Sequence, residues 1–277
     1  MSHSESTDLR ELLDLFADYV SSGYRNERRV RRRAAAPHAA SGRRPERPLA
    51  ARPAPANAPT AAAANASVVP TPATTPTAVP ASDRQRERTR EERRAALSEL
   101  EAEVRACAAC PLHTGRTHAV PGVGVLDPLV MVIGEGPGAE EDARGEPFVG
   151  AAGRYLDKWL EAIGLSRAEN VYITNIVKCR PPNNRDPLPN ESDACAPFLA
   201  RQVDLVRPRT ILTVGRIATS LLLHRDEGIG KLRGRPWEHQ GIPVVPTYHP
   251  SGVLRNDAWR RPVWEDLKRL RAILDGE

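Results

Sequence analysis

Cysteine, aromatic side chains and long apolar runs are all scarce in this 277-residue chain. Its four cysteines are too few, in too long a chain, for the disulfide framework of a small secreted domain. Three Phe, five Tyr and four Trp make any aromatic beside a polar motif informative. No apolar run approaches the ~20 residues that a bilayer-crossing helix needs, and no membrane partner is expected. The first residues lack the basic-then-apolar order of an export signal, so the expected setting is cytoplasmic and reducing. Charge itself is missing from Pro53 through Ser82, where only Ala, Pro, Thr, Val, Ser and Asn occur. Acids are sparse just before that stretch: ten arginines between Arg25 and Arg52 face only Glu27 and Glu46.

These absences partition the chain. Leu9, Leu12, Leu13, Phe16, Tyr19 and Val20 recur at helical spacing, which predicts a short amphipathic helix within residues 1–24. Residues 25–84 cannot bury enough apolar surface to offset chain entropy and read as a disordered linker. The Arg-rich part of that linker would attract phosphates nonspecifically, or act as a solubilising tail. Residues 85–277 form the folded domain. A charged helix over roughly 84–105 leads into strands at Val130–Ile133, Val171–Thr174, Thr210–Val214 and Pro243–Thr247. Helical segments at 152–163, 191–206, 216–223 and 259–274 alternate with them, the pattern of an α/β fold with a parallel sheet covered on both faces.

Each predicted strand ends in an unusual polar or glycine-rich segment: Gly134 to Gly138, Asn175, Gly215-Arg216, and Tyr248 to Ser251. Ligands in such sheets bind outside the carboxyl ends of the strands, so four such ends imply one shared pocket. The G-E-G-P-G run fails as a dinucleotide fingerprint because Ala139 stands where a glycine is needed. It also lacks the Lys-Ser/Thr of a phosphate-cradling loop, and Pro137 would interrupt a helix beginning there. Phe148, in a Gly/Pro-rich loop, is a candidate stacking platform for a flat ring, with core packing as its ordinary role. Asn175 offers donors and an acceptor in one plane, which suits the edge of a base. Lys178, Arg180 and Arg185 are candidate phosphate contacts, and His249 is a candidate functional histidine.

The cysteines stand as C-x2-C (Cys107, Cys110), a gap of 68 residues, then C-x15-C (Cys179, Cys195). That spacing suits one four-thiolate site, open to either zinc or an iron–sulfur cluster.

Together these motifs resemble the family 4, iron–sulfur uracil-DNA glycosylases of the uracil-DNA glycosylase superfamily, over about residues 97–275. The shared runs are C-x-x-C-P-L at 107–112, V-P-G-V-G at 120–124, G-E-G-P-G at 134–138, G-E-P-F-V-G at 145–150, Y-I-T-N-I-V-K-C-R-P-P at 172–182 and Y-H-P-S at 248–251. The resemblance implies a three-layer α/β/α sandwich on a central four-stranded parallel sheet. It also implies a structural [4Fe–4S] cluster on Cys107, Cys110, Cys179 and Cys195, and hydrolysis of the uracil–deoxyribose bond in DNA by a monomer. Phe148 would stack on the flipped uracil and Asn175 would read its pairing edge, with Gly136 and Glu141 beside it. Glu141 would exclude the methyl of thymine by bulk. His249 would donate to the uracil oxygen. Lys178, Arg180, Ser251 and Arg255 would meet DNA, with Leu254 or Val253 wedging into the space the base vacates. The wider superfamily often has an aspartate where this chain has Gly136, which leaves Glu135 or Asn184 to orient water. A covalently trapping branch carries a histidine after the asparagine strand, and residues 178–190 contain none. Rival readings are a relative acting on another deaminated base and a noncatalytic zinc-bearing nucleic-acid module.

Overall fold

The computed structural model describes residues 89–276. The predicted helix within 1–24 and the linker at 25–84 lie outside the described residues.

The described chain opens with α1 (Arg90–Ala106), fixed at its start by a reciprocal cap. Thr89 Oγ1 accepts from the Glu92 N–H while the Glu92 carboxylate accepts from the Thr89 N–H. Arg93, Leu97, Leu100 and Val104 recur on its buried stripe. Then follow β1 (Val123–Gly124), β2 (Val130–Gly134), α2 (Ala139–Arg144), α3 (Ala151–Ala162) and β3 (Val171–Asn175). The second half runs α4 (Pro189–Val206), β4 (Thr210–Val214), α5 (Arg216–Leu223), α6 (Ile229–Leu232), β5 (Trp237–His239), β6 (Ile242–Thr247), α7 (Pro250–Val253) and α8 (Arg260–Asp275).

The strands form one sheet in the order β1-β3-β2-β4-β6-β5. The four expected strands are its parallel centre, and β2, β3 and β4 are buried along their whole length, as strands covered on both faces must be. Two antiparallel edge strands, not foreseen, extend it to six. At two and three residues, β1 and β5 are too short to show a period. The β5–β6 hairpin turns on Gln240 and Gly241, both at positive φ.

Met131, Ile133, Tyr172, Ile211 and Val244 share one apolar cluster with α1, α4 and α5. The other face is covered by α8, which contacts β4 and β6. The connections after β2 and β3 leave in opposite directions, since β3 and β4 flank β2. Right-handed crossovers therefore place α3 and α4 on opposite faces and open a crevice beyond the carboxyl ends of β2 and β3. Pro137 does not stop a helix nearby, because α2 begins two residues later. The Glu141 carboxylate there takes the N–H of its N-cap, Gly138.

Candidate active site

A cavity of about 440 Å³ lies in that crevice, walled by the segments following β2, β3 and β6. Glu135, Gly136, Glu141, Phe148, Asn175, Asn184, His249, Ser251 and Arg255 all line it, so most of the expected residues come together.

Strand register sets the floor. Gly134 and Asn175 are paired neighbours on β2 and β3. Asn175 is 1% exposed, and its Oδ1 is buried with no hydrogen-bond partner. An orphaned acceptor costs about 1–3 kcal/mol, and on the cavity wall this oxygen is placed to accept an N–H from a molecule in the cavity. Gly134 makes room for this amide: a Cβ there would stand 2.4 Å from Asn175 Oδ1 and 2.5 Å from Phe148 Cζ. Gly134→Ala should therefore displace both side chains and lower kcat/KM about 100-fold, a misplacement effect, with the fold kept. Steady-state kinetics beside a thermal melt would check it, and an alanine variant of normal activity would contradict this account of the floor.

Phe148 is buried at φ +54°, a left-handed backbone that a bulky residue adopts only when its surroundings force it. Its ring centroid lies 5.8 Å from that of His249. Glu141 lines the cavity as expected, and its carboxylate also ties two loops together. Oε2 accepts from Gly138 N–H, and Oε1 from the N–H groups of Val149 and Gly150.

His249 caps α7. The Ser251 backbone N–H donates to His249 Nδ1 at 3.2 Å, and Ser251 Oγ lies 2.7 Å from the same nitrogen. A backbone N–H can only donate, so Nδ1 is the acceptor and the remaining proton sits on Nε2. Burial first, then the Arg255 charge, lowers the His249 pKa to about 4, so the imidazole is neutral at pH 7. The site thus holds a neutral Nε2–H donor. Ser251, expected to meet DNA, is the histidine's hydrogen-bond partner. The i, i+2 spacing after a strand end was the signal for it.

Burial first, then the nearby Asp186 charge, raises Glu135 to about 7, with Arg216 opposing. Asn184 Oδ1 accepts from Arg180 Nε at 2.8 Å, so both side chains are engaged with each other. Arg185 is taken up by a bidentate pair with the buried Glu191, while Arg255 stays exposed at the rim. Val253 is fully buried and cannot wedge into DNA, whereas Leu254 is half-buried.

Lys178 corrects the sequence reading outright. It is 1% exposed and cannot reach a phosphate. Its Nζ donates to Thr174 Oγ1, to the Asn175 carbonyl and to Gln202 Oε1 at 2.6–2.7 Å. The side chain therefore braces the strand end that presents Asn175. Gln202 lies on α4, and nothing in the local sequence marks it as this partner.

The four cysteines, all free thiols, line a second and smaller pocket behind the same loop, with His113, Arg116 and Phe198. Arg116 Nη1 donates to Cys179 Sγ at 3.0 Å, and the Ala109 N–H to Cys107 Sγ at 3.5 Å. Burial raises the Cys179 thiol and pushes Cys195 up to about 11, so anionic sulfurs here require compensating positive charge. Among the described residues, no three His, Cys, Asp or Glu side chains converge as ligands of a single ion. Four cysteines lining one pocket, with an N–H donor against Cys107 and a guanidinium against Cys179, are a donor set that a thiolate-bound metal group would fit.

Comparison with known proteins agrees. The sequence pattern of the uracil DNA glycosylase superfamily matches residues 121–268. A type-4 uracil-DNA glycosylase of Thermotoga maritima is 45% identical over 193 residues, covering 68% of this chain and 98% of that protein. The type-4 enzyme of Saccharolobus solfataricus is 47% identical over 63% of this chain and 85% of its own length. A type-5 uracil-DNA glycosylase of Pyrobaculum aerophilum is 34% identical over 48% of this chain. With the sheet, the pocket and the four-cysteine site in place, the chain belongs to the uracil-DNA glycosylase superfamily and to its type-4 branch.

Proposed function

We propose that this protein removes uracil from DNA by hydrolysing the bond between the base and deoxyribose, leaving an abasic site for repair. The observation that carries the reading is one pocket holding a buried, unsatisfied Asn175 amide, the Phe148 ring and a neutral His249 donor.

Uracil in a duplex must leave the stack to reach such a cavity. Its N3–H and O4 present a donor beside an acceptor, which Asn175 Oδ1 and Nδ2 complement. Cytosine presents the reverse order and would leave both groups opposed. Phe148 stacks on the ring. The N1–C1′ bond breaks with its electron pair going to uracil, and negative charge builds on O2, where His249 Nε2–H donates without giving up its proton. Water then adds to the cationic C1′ and loses a proton. Of Glu135 and Asn184, both on the cavity wall, only the carboxylate can take up the proton, so Glu135 is assigned to orient that water and accept its proton.

Glu135 must be ionised for this task, so the sign of the pH effect follows. With its pKa near 7, kcat/KM should rise as pH increases through about 7. Glu135→Gln should flatten that limb and cost about 10²-fold. A pH–rate profile of both proteins checks it, and an unchanged limb in the variant would reassign the base.

A [4Fe–4S] cluster on Cys107, Cys110, Cys179 and Cys195 suits a pocket lined by all four cysteines, with donors to two of the sulfurs. Its contribution would be structural: bracing the segment after Asn175 and joining it to α1 and α4. Action as a monomer is part of this reading, and four thiols reserved for iron suit a reducing cytoplasm. The Arg-rich arm at 25–52 would add salt-dependent affinity for DNA phosphates.

The direct test is incubation with a uracil-containing oligonucleotide followed by alkali, with thymine and hypoxanthine controls. Strand breaks confined to uracil are expected. An intact uracil strand after treatment with fresh brown protein would overturn the reading.

A further inference from the structure

Phe148 holds a left-handed backbone, and the groups that keep it there lie outside the cavity. Arg167, on the segment between α3 and β3, donates through Nη1 to the Pro147 carbonyl at 3.2 Å and through Nη2 to the Phe148 carbonyl at 2.9 Å. Its guanidinium is oriented by Asp157 on α3, whose Oδ1 accepts from Nε at 2.9 Å and from Nη2 at 2.7 Å. Glu146 adds a weaker contact to Nη1 at 3.5 Å. From the other side, α3 meets the same peptide at Gly153, where a Cβ would overlap the Phe148 carbonyl at 1.8 Å. The Phe148 peptide is thus seated between a glycine and a planar cation. Neither Arg167 nor Asp157 lines the cavity.

We propose that Arg167, oriented by Asp157, is a positioning residue that locks Phe148 in its strained backbone so that the ring is preformed as a stacking surface. The proposal rests on the reading of Phe148 as the platform for uracil. A ring free to leave this geometry would have to be ordered anew at each binding event, and that cost would appear as lost affinity for the flipped base. Lysine cannot replace the arginine, because one ammonium cannot bridge two carbonyls and a carboxylate in a plane.

The test is a double-mutant cycle on uracil-containing duplex, with affinity for uracil-free duplex and thermal melts measured on the same proteins. Phe148→Ala should lower kcat/KM by about 10- to 100-fold, the range of a lost base–aromatic stack. Arg167→Met should lower it about 10-fold, and Arg167→Lys nearly as much, with affinity for uracil-free DNA unchanged. In the Phe148→Ala background, Arg167→Met should cost less than about two-fold more, because its effect passes through the ring. Should Arg167→Met fail to fold, Asp157→Asn keeps the guanidinium and should show a smaller loss with the same dependence on Phe148. Wild-type cleavage by a folded Arg167→Met protein, or a loss that persists in full without the Phe148 ring, would overturn the proposal alone. Failure of the wild-type chain to cleave uracil DNA would overturn it together with the reading it rests on.

Discussion

His249→Ala should slow single-turnover cleavage about 10³-fold while leaving affinity for uracil-containing DNA within a few-fold of wild type. The asymmetry follows from when the donor is needed. In the bound ground state, uracil O2 carries little charge, and Asn175 and Phe148 hold the ring without help from the imidazole. Charge appears on O2 only as the glycosidic bond stretches, and a preoriented Nε2–H then stabilises it in a site shielded from water. A 10³-fold loss corresponds to about 4 kcal/mol of transition-state stabilisation, the upper end for one such donor. The neutral form is built in: burial depresses the pKa to about 4, and the Ser251 N–H occupies Nδ1. Rapid-quench kinetics and a binding titration on the same variant separate the two quantities. Equal losses in rate and affinity would mean that His249 holds the substrate rather than the transition state.

Replacing Cys195 by serine should remove the brown colour, cut bound iron and drop the melting temperature steeply, before any question of chemistry arises. Cys195 lies on α4 and Cys179 on the loop after β3, both buried, while Cys107 and Cys110 follow α1. Bound to one cluster, as proposed, the four cysteines would join three elements that pack on one face of the sheet. Structural metal sites are worth roughly 10 kcal/mol or more, whereas whole domains are stable by about 5–15 kcal/mol. Loss of one ligand therefore competes with the entire stability. Iron and sulfide analysis with circular-dichroism melts provides the readout. A colourless serine variant that melts and cleaves like wild type would show that the cysteines carry no structural cofactor.

Much of this was legible in the sequence for physical reasons. Val130–Ile133, Val171–Thr174 and Thr210–Val214 are continuous β-branched and apolar runs, and burial on both faces leaves such strands no other composition. Their polar ends marked the pocket because polar residues at the end of an apolar strand have no packing role there. What escaped was whatever depends on groups far apart in the chain. Lys178 looks like one more surface cation beside Arg180, and only folding brings Gln202 to it. Arg167 is one of many arginines, and its role rests on a carbonyl held at positive φ that no residue type announces. The edge strands were missed because hydrogen bonds to a neighbour, rather than a pattern of their own, define them.

Those edge strands carry a consequence for crowding. The sheet ends in a two-residue strand on one side and a three-residue strand on the other, so each edge strand offers only a short backbone ladder for a second copy to extend. A glycosylase searching for damage is concentrated along the same polymer as its neighbours, where sticky sheet edges would seed clumps. Edge strands this short leave little for sheet-to-sheet pairing between copies crowded on one stretch of DNA.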